Sequence, residues 1–111
     1  MDDLAAKKCV ACRADAPRAT AEQRQRFLAQ LPEWKLIHAE DMDRLTRTFN
    51  FKNFADALVF TNRVGQIAEQ ENHHPALLTE WGKVTVTWWT HKIKGLHVND
   101  FVMAAKTDGL L

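Results

Sequence analysis

The sequence predicts an α+β fold, in which three helices pack on one face of a four-stranded antiparallel sheet in the order α-β-β-α-β-β-α. Three observations predict it. Residues 45–51 and 83–90 alternate their side chains with period two, as strands do. Residues 54–68 instead repeat apolar side chains every three or four positions, as an amphipathic helix does. Short extended segments lie in pairs separated by turns, which favours hairpins joined by helices.

The first three elements are a helix and a hairpin. Thr20 and Gln23 form a capping-box pattern, so the first helix should begin at Thr20. Pro32 ends it, because proline disfavours helix in the residue before it. Two strands, 34–38 and 45–51, follow, and the acidic residues between them should turn the chain.

The second half repeats this arrangement. Asn53 is the expected N-cap of the central helix, and Pro75 makes its continuation beyond that residue improbable. A strand over 76–81 then turns into the strand over 83–90, and a last helix runs from about 98 to 106.

One face of the predicted sheet has no helices on it. Because residues alternate along the strand 83–90, either Trp88 or Trp89 lies on that face. A second subunit would cover it, so we expect a homodimer or a higher homo-oligomer.

The composition restricts the class of protein. At 111 residues, with 46% hydrophobic and 26% charged residues, the chain has the make-up of one globular domain. A formal net charge of +1 predicts no nucleic-acid partner and no anionic membrane surface. No apolar run approaches the roughly 18 residues that cross a bilayer. Without an apolar signal core or a disulfide framework, we expect a cytoplasmic protein.

The domain should begin near residue 20. We expect residues 1–19 to form an irregular N-terminal arm and residues 20–111 a single domain. The arm contains Cys9 and Cys12, a spacing found in zinc sites and in redox pairs. No strand precedes the pair and no second pair follows, so we interpret both as free thiols. A site completed by another chain is the alternative.

The candidate catalytic residues are three histidines. His73 and His74 lie where the central helix gives way to a strand. The negative end of a helix, together with Glu69, favours the imidazolium form and therefore a general acid at neutral pH. Positions equidistant from a turn are neighbours in an antiparallel pair, so residue 90 should lie opposite residue 74. His91 should therefore arrive close to the other two.

Zinc binding is the rival interpretation, because three histidines can hold a catalytic zinc ion. Adjacent residues of an extended chain project oppositely, so His73 and His74 do not readily share one ion. We therefore expect no metal. Asp100 is expected to stabilise the first turn of the last helix, with a role beside the imidazoles as the alternative.

These residues resemble the signature of the pterin-4a-carbinolamine dehydratases. The matching set, in order, is Glu69, His73-His74-Pro75, Trp81, His91 and Asp100. Trp34 after Leu31-Pro32, the run 51–54, and Thr90-His91 followed by Gly95-Leu96 add support, so the resemblance covers about residues 20–107. The run 81–89 is similar to bacterial members. One departure is His97, which stands where a helix-capping serine is common.

The resemblance implies a reaction and a set of roles. The substrate would be 4a-hydroxytetrahydrobiopterin, which loses water to give quinonoid dihydrobiopterin and so recycles the pterin for phenylalanine hydroxylation. It also implies a dimer built through the sheets and a functional link to phenylalanine hydroxylase. Catalysis falls to His73, His74 and His91. Substrate binding falls to Glu69, His74, Pro75, Trp34 and Asp100.

The chemistry needs no metal and no redox cofactor, because the nitrogen of the carbinolamine itself expels the hydroxyl. We therefore expect no cofactor, with the pterin as substrate. A non-catalytic pterin- or protein-binding regulatory module on the same fold is the alternative function.

Overall fold

The computed structural model describes residues 19–90 and 95–111, and its elements follow the predicted order. The helices are α1 (Ala21–Leu28), α2 (Phe54–Glu71) and α3 (Val98–Asp108). The strands are β1 (Lys35–Ala39), β2 (Met42–Asn50), β3 (Ala76–Glu80) and β4 (Lys83–Trp88). They form one antiparallel sheet in the order β1-β2-β4-β3. The α+β prediction is confirmed.

Three predicted features fall outside the described residues: the arm up to residue 18, with Cys9 and Cys12, and His91. Ala19 is the described end of the arm. It is buried, and its backbone N–H donates to the carbonyl of Leu96 at 2.9 Å. Within the described part of the chain, no helix has both the length and the apolar character needed to cross a bilayer.

The core lies between the sheet and the helices. Leu45 pairs with Trp88 and Phe49 with Val84 across β2 and β4, and all four side chains are buried. Phe49 also packs against Phe60 of α2, with ring centroids 4.6 Å apart and the ring planes tilted by 43°. Burial of large side chains such as these supplies the main stabilisation of the fold, at about 1.5–3 kcal/mol each.

Side chains at the predicted caps hold the helix ends. Thr20 accepts from the N–H of Gln23 at 3.1 Å, and the side chain of Gln23 accepts from the N–H of Thr20 at 2.9 Å. Asn53 caps α2 by accepting from the N–H of Asp56 at 2.8 Å. The capping box and the N-cap read from the sequence are therefore confirmed.

Two turns are tighter than the sequence indicates. Ala39 pairs with Met42, so the first hairpin turns on Glu40 and Asp41 alone, which have φ of 52° and 62°. Glu80 pairs with Lys83, so the second hairpin turns on two residues, and β4 ends at Trp88 rather than at residue 90. Continued along the chain, this register places residue 74 opposite residue 89, one position from the prediction.

The helix-free face of the sheet is largely polar. Thr46 bonds to Thr87 and Thr48 to Thr85 through their hydroxyls, both at 3.1 Å. Trp89 is the tryptophan on this face, and the guanidinium of Arg44 covers its ring at 4.2 Å from the centroid. Trp88 instead lies in the core. Ile37, opposite Arg44, and Leu78, opposite Thr85, are exposed apolar side chains on the same face, so part of the face remains apolar between the polar rows.

Candidate active site

The end of α2 carries His73 into the interior. Asn72 adopts the left-handed conformation with φ 51° and ψ 43°, which ends the helix and reverses the chain. The backbone N–H of His73 then donates to the carbonyl of Ala68 at 3.0 Å. The imidazole is only 5% exposed and stacks almost parallel on Trp88, with centroids 5.7 Å apart. One face of the ring and the backbone N–H of His73 are thus held by the fold itself.

A buried carboxylate sets the orientation of that imidazole. Asp100 is 0% exposed, and its Oδ1 lies 2.7 Å from Nε2 of His73. Its Oδ2 accepts from the hydroxyl of Thr90 at 2.7 Å and from the backbone N–H of His97 at 2.9 Å. A carboxylate only accepts, so the proton in the bond to His73 lies on Nε2. Asp100 therefore combines the predicted capping role with contact to an imidazole.

His97 is a second buried imidazole in this cluster. It is the N-cap of α3, and its Nδ1 accepts from the backbone N–H of Asn99 at 3.0 Å. Burial lowers the pKa of His97, and the nearby His73 lowers it further, whereas the carboxylate of Asp100 opposes the shift. The neutral ring can keep accepting from the helix. The histidine that departs from the common serine therefore still performs the capping.

His74 lies in a different environment from its neighbour. Its side chain is exposed, and its Nε2 lies 3.3 Å from Oε2 of Glu69, which is also exposed. Adjacent histidines thus project in opposite directions, each towards its own carboxylate. Within residues 19–90 and 95–111, no three His, Cys, Asp or Glu side chains are grouped as ligands of a metal ion.

His91 lies outside the described residues, but its neighbour Thr90 is well placed. The backbone N–H of Thr90 donates to the carbonyl of Gly95 at 2.9 Å, and the N–H of Gly95 donates to the carbonyl of Thr90 at 3.3 Å. The hydroxyl of Thr90 reaches Asp100, which also holds His73. The last described residue before position 91 therefore lies beside the buried pair. The approach of His91 to His73 and His74 stays a prediction.

Two predicted substrate-binding residues are placed differently. Pro75 follows His74 directly and is half-buried just before β3. Trp34 is buried, and its indole N–H donates to Oδ1 of Asp108 at 2.8 Å. Asp108 lies eight residues beyond Asp100 on α3, roughly 12 Å along the helix axis. The structure thus brings His73 together with Asp100, and His74 with Glu69, but leaves Trp34 at the opposite end of α3.

Sequence reasoning did not place Thr90, His97 or Trp88 in the site. Thr90 follows an alternating strand, and the continued alternation gives no sign that its hydroxyl meets a buried carboxylate. The stacking of Trp88 on His73 depends on tertiary packing between α2 and β4. One signal was available: two polar residues, His97 and Asp100, flank the start of a helix whose other residues are mostly apolar.

This geometry can be compared with known proteins. A family model described as pterin 4 alpha carbinolamine dehydratase matches residues 17–110. The chain belongs to the pterin 4 alpha carbinolamine dehydratase family. The buried His73 and Asp100 and the exposed His74 and Glu69 are thus four positions of a dehydratase-family domain.

Relatives in the dehydratase family match the chain along its whole length. A protein of Syntrophotalea carbinolica named "Putative pterin-4-alpha-carbinolamine dehydratase" is 58% identical over 111 residues, which are 100% of this chain and 99% of that one. A protein of Nitrosococcus oceani with the same name is 56% identical, covering 100% of this chain and 98% of its own.

A solved structure has the same dehydratase fold. The crystal structure of a transcriptional coactivator/pterin dehydratase from Brucella melitensis superposes with a TM-score of 0.75 at 30% identity. The alignment covers 85% of this chain and 98% of the Brucella chain.

Proposed function

We propose that this protein removes water from 4a-hydroxytetrahydrobiopterin to give quinonoid dihydrobiopterin, with imidazoles as general acid and base. The observation that carries the proposal is the buried pair of His73 and Asp100, joined at 2.7 Å. Membership of the dehydratase family and relatives with that name support the reaction class.

The reaction needs one proton donated and one removed. An imidazolium protonates the 4a-hydroxyl, which leaves as water when its bond to C4a breaks. A neutral imidazole takes the proton from N5, and the electrons of that N–H bond form the C4a=N5 double bond. Each proton transfer contributes about 10²–10⁴-fold to the rate. Loss of water is not a redox reaction, so neither an oxidant nor a reductant is consumed.

We assign the acid and base roles to His73 and His91, and the orientation of the pterin mainly to His74. The carboxylate of Asp100 holds the ring of His73 in one orientation. The exposed pair of His74 and Glu69 offers an imidazole and a carboxylate to the polar edge of a pterin. Pro75 and Trp34 complete the proposed substrate-binding set.

The proposal includes no resident cofactor. Purified protein should dehydrate the carbinolamine at an unchanged rate after treatment with a chelator, and elemental analysis should find far less than one zinc ion per chain. Stoichiometric zinc, together with loss of activity on chelation, would instead favour a metal site.

The proposal also includes self-association and a metabolic link. Both edge strands carry exposed apolar side chains: Leu36 and Ile37 on β1 and Leu78 on β3. Unpaired edges with apolar side chains suit pairing with a second copy. Light scattering on the purified protein should give at least twice the monomer mass of 12.7 kDa. The regenerated pterin would serve phenylalanine hydroxylation.

The deciding experiment is a dehydratase assay on enzymatically generated carbinolamine. Replacing His73 and His91 together with alanine should remove nearly all acceleration over the spontaneous dehydration. His38→Ala is the matched control, because His38 is an exposed histidine on β1 that also pairs with a carboxylate, that of Asp43 at 2.8 Å. A double variant with a near-normal rate contradicts the assignment.

A second candidate is a binding module that holds a pterin or a protein without turning the pterin over. The Brucella structure is named as both a transcriptional coactivator and a pterin dehydratase, and this favours the binding module as a second candidate. Tryptophan fluorescence reports pterin binding independently of turnover. Saturable quenching without any dehydration would favour the module over the enzyme.

A further inference from the structure

The hydroxyl of Thr90 makes a contact that the strand alone does not explain. β4 ends at Trp88, and the backbone of Thr90 pairs with Gly95 in an isolated bridge. The side chain is 2% exposed, and its Oγ1 lies 2.7 Å from Oδ2 of Asp100. That distance is typical of a hydroxyl donating to an ionised carboxylate, a bond about twice as strong as one between neutral groups.

The donors around Asp100 divide into two kinds. The N–H of His97 belongs to the N-terminus of α3 itself, so it moves together with Asp100. Thr90 donates to the same oxygen from the end of β4, outside the helix. The last torsion of an aspartate side chain is broad when nothing restrains it. Thr90 is therefore the contact that fixes the carboxylate plane relative to the sheet, and Trp88 of that sheet supports the ring of His73.

We propose that Thr90 is a positioning residue: its hydroxyl fixes the carboxylate of Asp100 so that Oδ1 receives the Nε2–H of His73 and holds that imidazole in one tautomer. The residue acts through Asp100 and need not touch the substrate. The proposal deepens the proposed function and rests on it for its effect on the rate. The tautomer itself can be measured without substrate.

Thr90→Val and Thr90→Ser separate the hydroxyl from the shape of the side chain. Valine keeps the volume and removes the donor, whereas serine keeps the donor and removes a methyl group. Thr87→Val is the matched control, because Thr87 lies on the same strand segment and its hydroxyl bonds at 3.1 Å to Thr46 on the opposite face. All three variants should first be shown to be folded by thermal unfolding.

In the dehydratase assay, we expect Thr90→Val to lower kcat by about tenfold, since misplacing a catalytic group by about 1 Å can cost up to about 10²-fold in rate. KM should stay within about threefold. Thr90→Ser should recover most of the rate, and Thr87→Val should match the parent protein. A serine variant as slow as the valine variant would show that packing matters and the hydroxyl does not, which overturns the proposal.

The second readout is the ¹⁵N spectrum of the imidazoles in the protein without substrate. The parent protein and Thr87→Val should show His73 with its proton on Nε2, and Thr90→Val should show a mixture of tautomers. Identical His73 signals in the parent and in Thr90→Val would overturn the proposal whatever the kinetics show. If the parent protein dehydrates no carbinolamine, the proposed function fails, and these spectra still decide the role of Thr90.

Discussion

At the scale of single residues, the carboxylate of Asp100 matters most, because three donors meet on it. We expect Asp100→Asn to lower kcat by about 10²-fold. The donors Thr90 and His97 would keep the amide oxygen at the Oδ2 position, so the amide nitrogen would face His73, where it cannot accept a proton and leaves the tautomer unfixed. Stability should fall by about 2 kcal/mol through lost bonds to a buried charge. Steady-state kinetics and urea unfolding measure the two effects.

Asp56→Asn is the control for that variant. Asp56 also occupies the first turn of a helix, but it is exposed and lies at the start of α2. Asp56→Asn should lower the free energy of unfolding by at most about 1 kcal/mol and leave kcat unchanged. An Asp100→Asn protein that turns over as fast as the parent contradicts the orienting role of the carboxylate.

His97 should make stability depend on pH in a defined direction. Burial lowers its pKa in the folded protein, so the unfolded chain binds a proton more readily than the folded chain does. The stability that the neutral ring contributes is complete above the unfolded pKa, about 6.5, and is lost as the pH falls further. His97→Asn keeps a good N-cap but cannot titrate in this range. Its free energy of unfolding should therefore fall less than that of the parent between pH 7 and pH 5, and parallel curves would refute this.

At the scale of elements, local sequence patterns predicted most helix ends and both hairpins. Thr20 and Asn53 cap their helices as expected, because capping depends on residues only a few positions apart. The first turn was predicted in the right segment, but its length was not, because Glu40-Asp41 lacks the Asn-Gly signal usual for a two-residue turn with two positive φ angles. The end of β4 was missed because alternation continues in the sequence beyond the last ladder pair.

That first turn gives a prediction of its own. Asp41 has a φ of 62°, a conformation that glycine adopts without the steric penalty of a side chain. Asp41→Gly should therefore stabilise the protein by about 0.5 kcal/mol, measured as a higher midpoint of urea unfolding. The control is the replacement of a glycine by a residue with a side chain in the turn of the other hairpin. Gly82→Ala should destabilise, because Gly82 has a φ of 78° and an added Cβ would meet the carbonyl of Phe51 at 3.3 Å.

Half of the candidate site could be read from the sequence. His73 and His74 stand out because they interrupt an apolar pattern at a helix end, and Asp100 because it begins a helix. The sequence could not show that His73 is buried on Trp88 while His74 remains exposed, because one left-handed residue, Asn72, decides which way each ring turns. Contacts such as that of Thr90 with Asp100 depend on the packing of separate elements.

At the scale of the whole molecule, a second carboxylate joins α3 to the sheet. Asp108 accepts from the indole N–H of Trp34 and from the guanidinium of Arg47, both at 2.8 Å. Asp108→Ala would leave these two donors without that partner. We expect a loss of about 2 kcal/mol in the free energy of unfolding and an unchanged kcat in protein that remains folded. A large fall in kcat with normal stability would contradict this separation.

Trp34→Phe tests the predicted substrate contact at the same place. It removes the donor to Asp108 and keeps an aromatic ring. If Trp34→Phe lowers the free energy of unfolding and leaves the kinetics unchanged, as expected for Asp108→Ala, then Trp34 has a structural role. A rise in KM beyond that of Asp108→Ala would support the predicted binding role.

One short helix thus carries the histidine-orienting carboxylate near its beginning and the clamp on Trp34 and Arg47 at its end. A premature stop codon just before position 108 would spare every candidate catalytic histidine in the gene. The shortened product would nonetheless lack the anchor of the helix that holds His73 in place. Its activity should therefore fall because less of the protein is folded, while the folded fraction keeps the chemistry of the site.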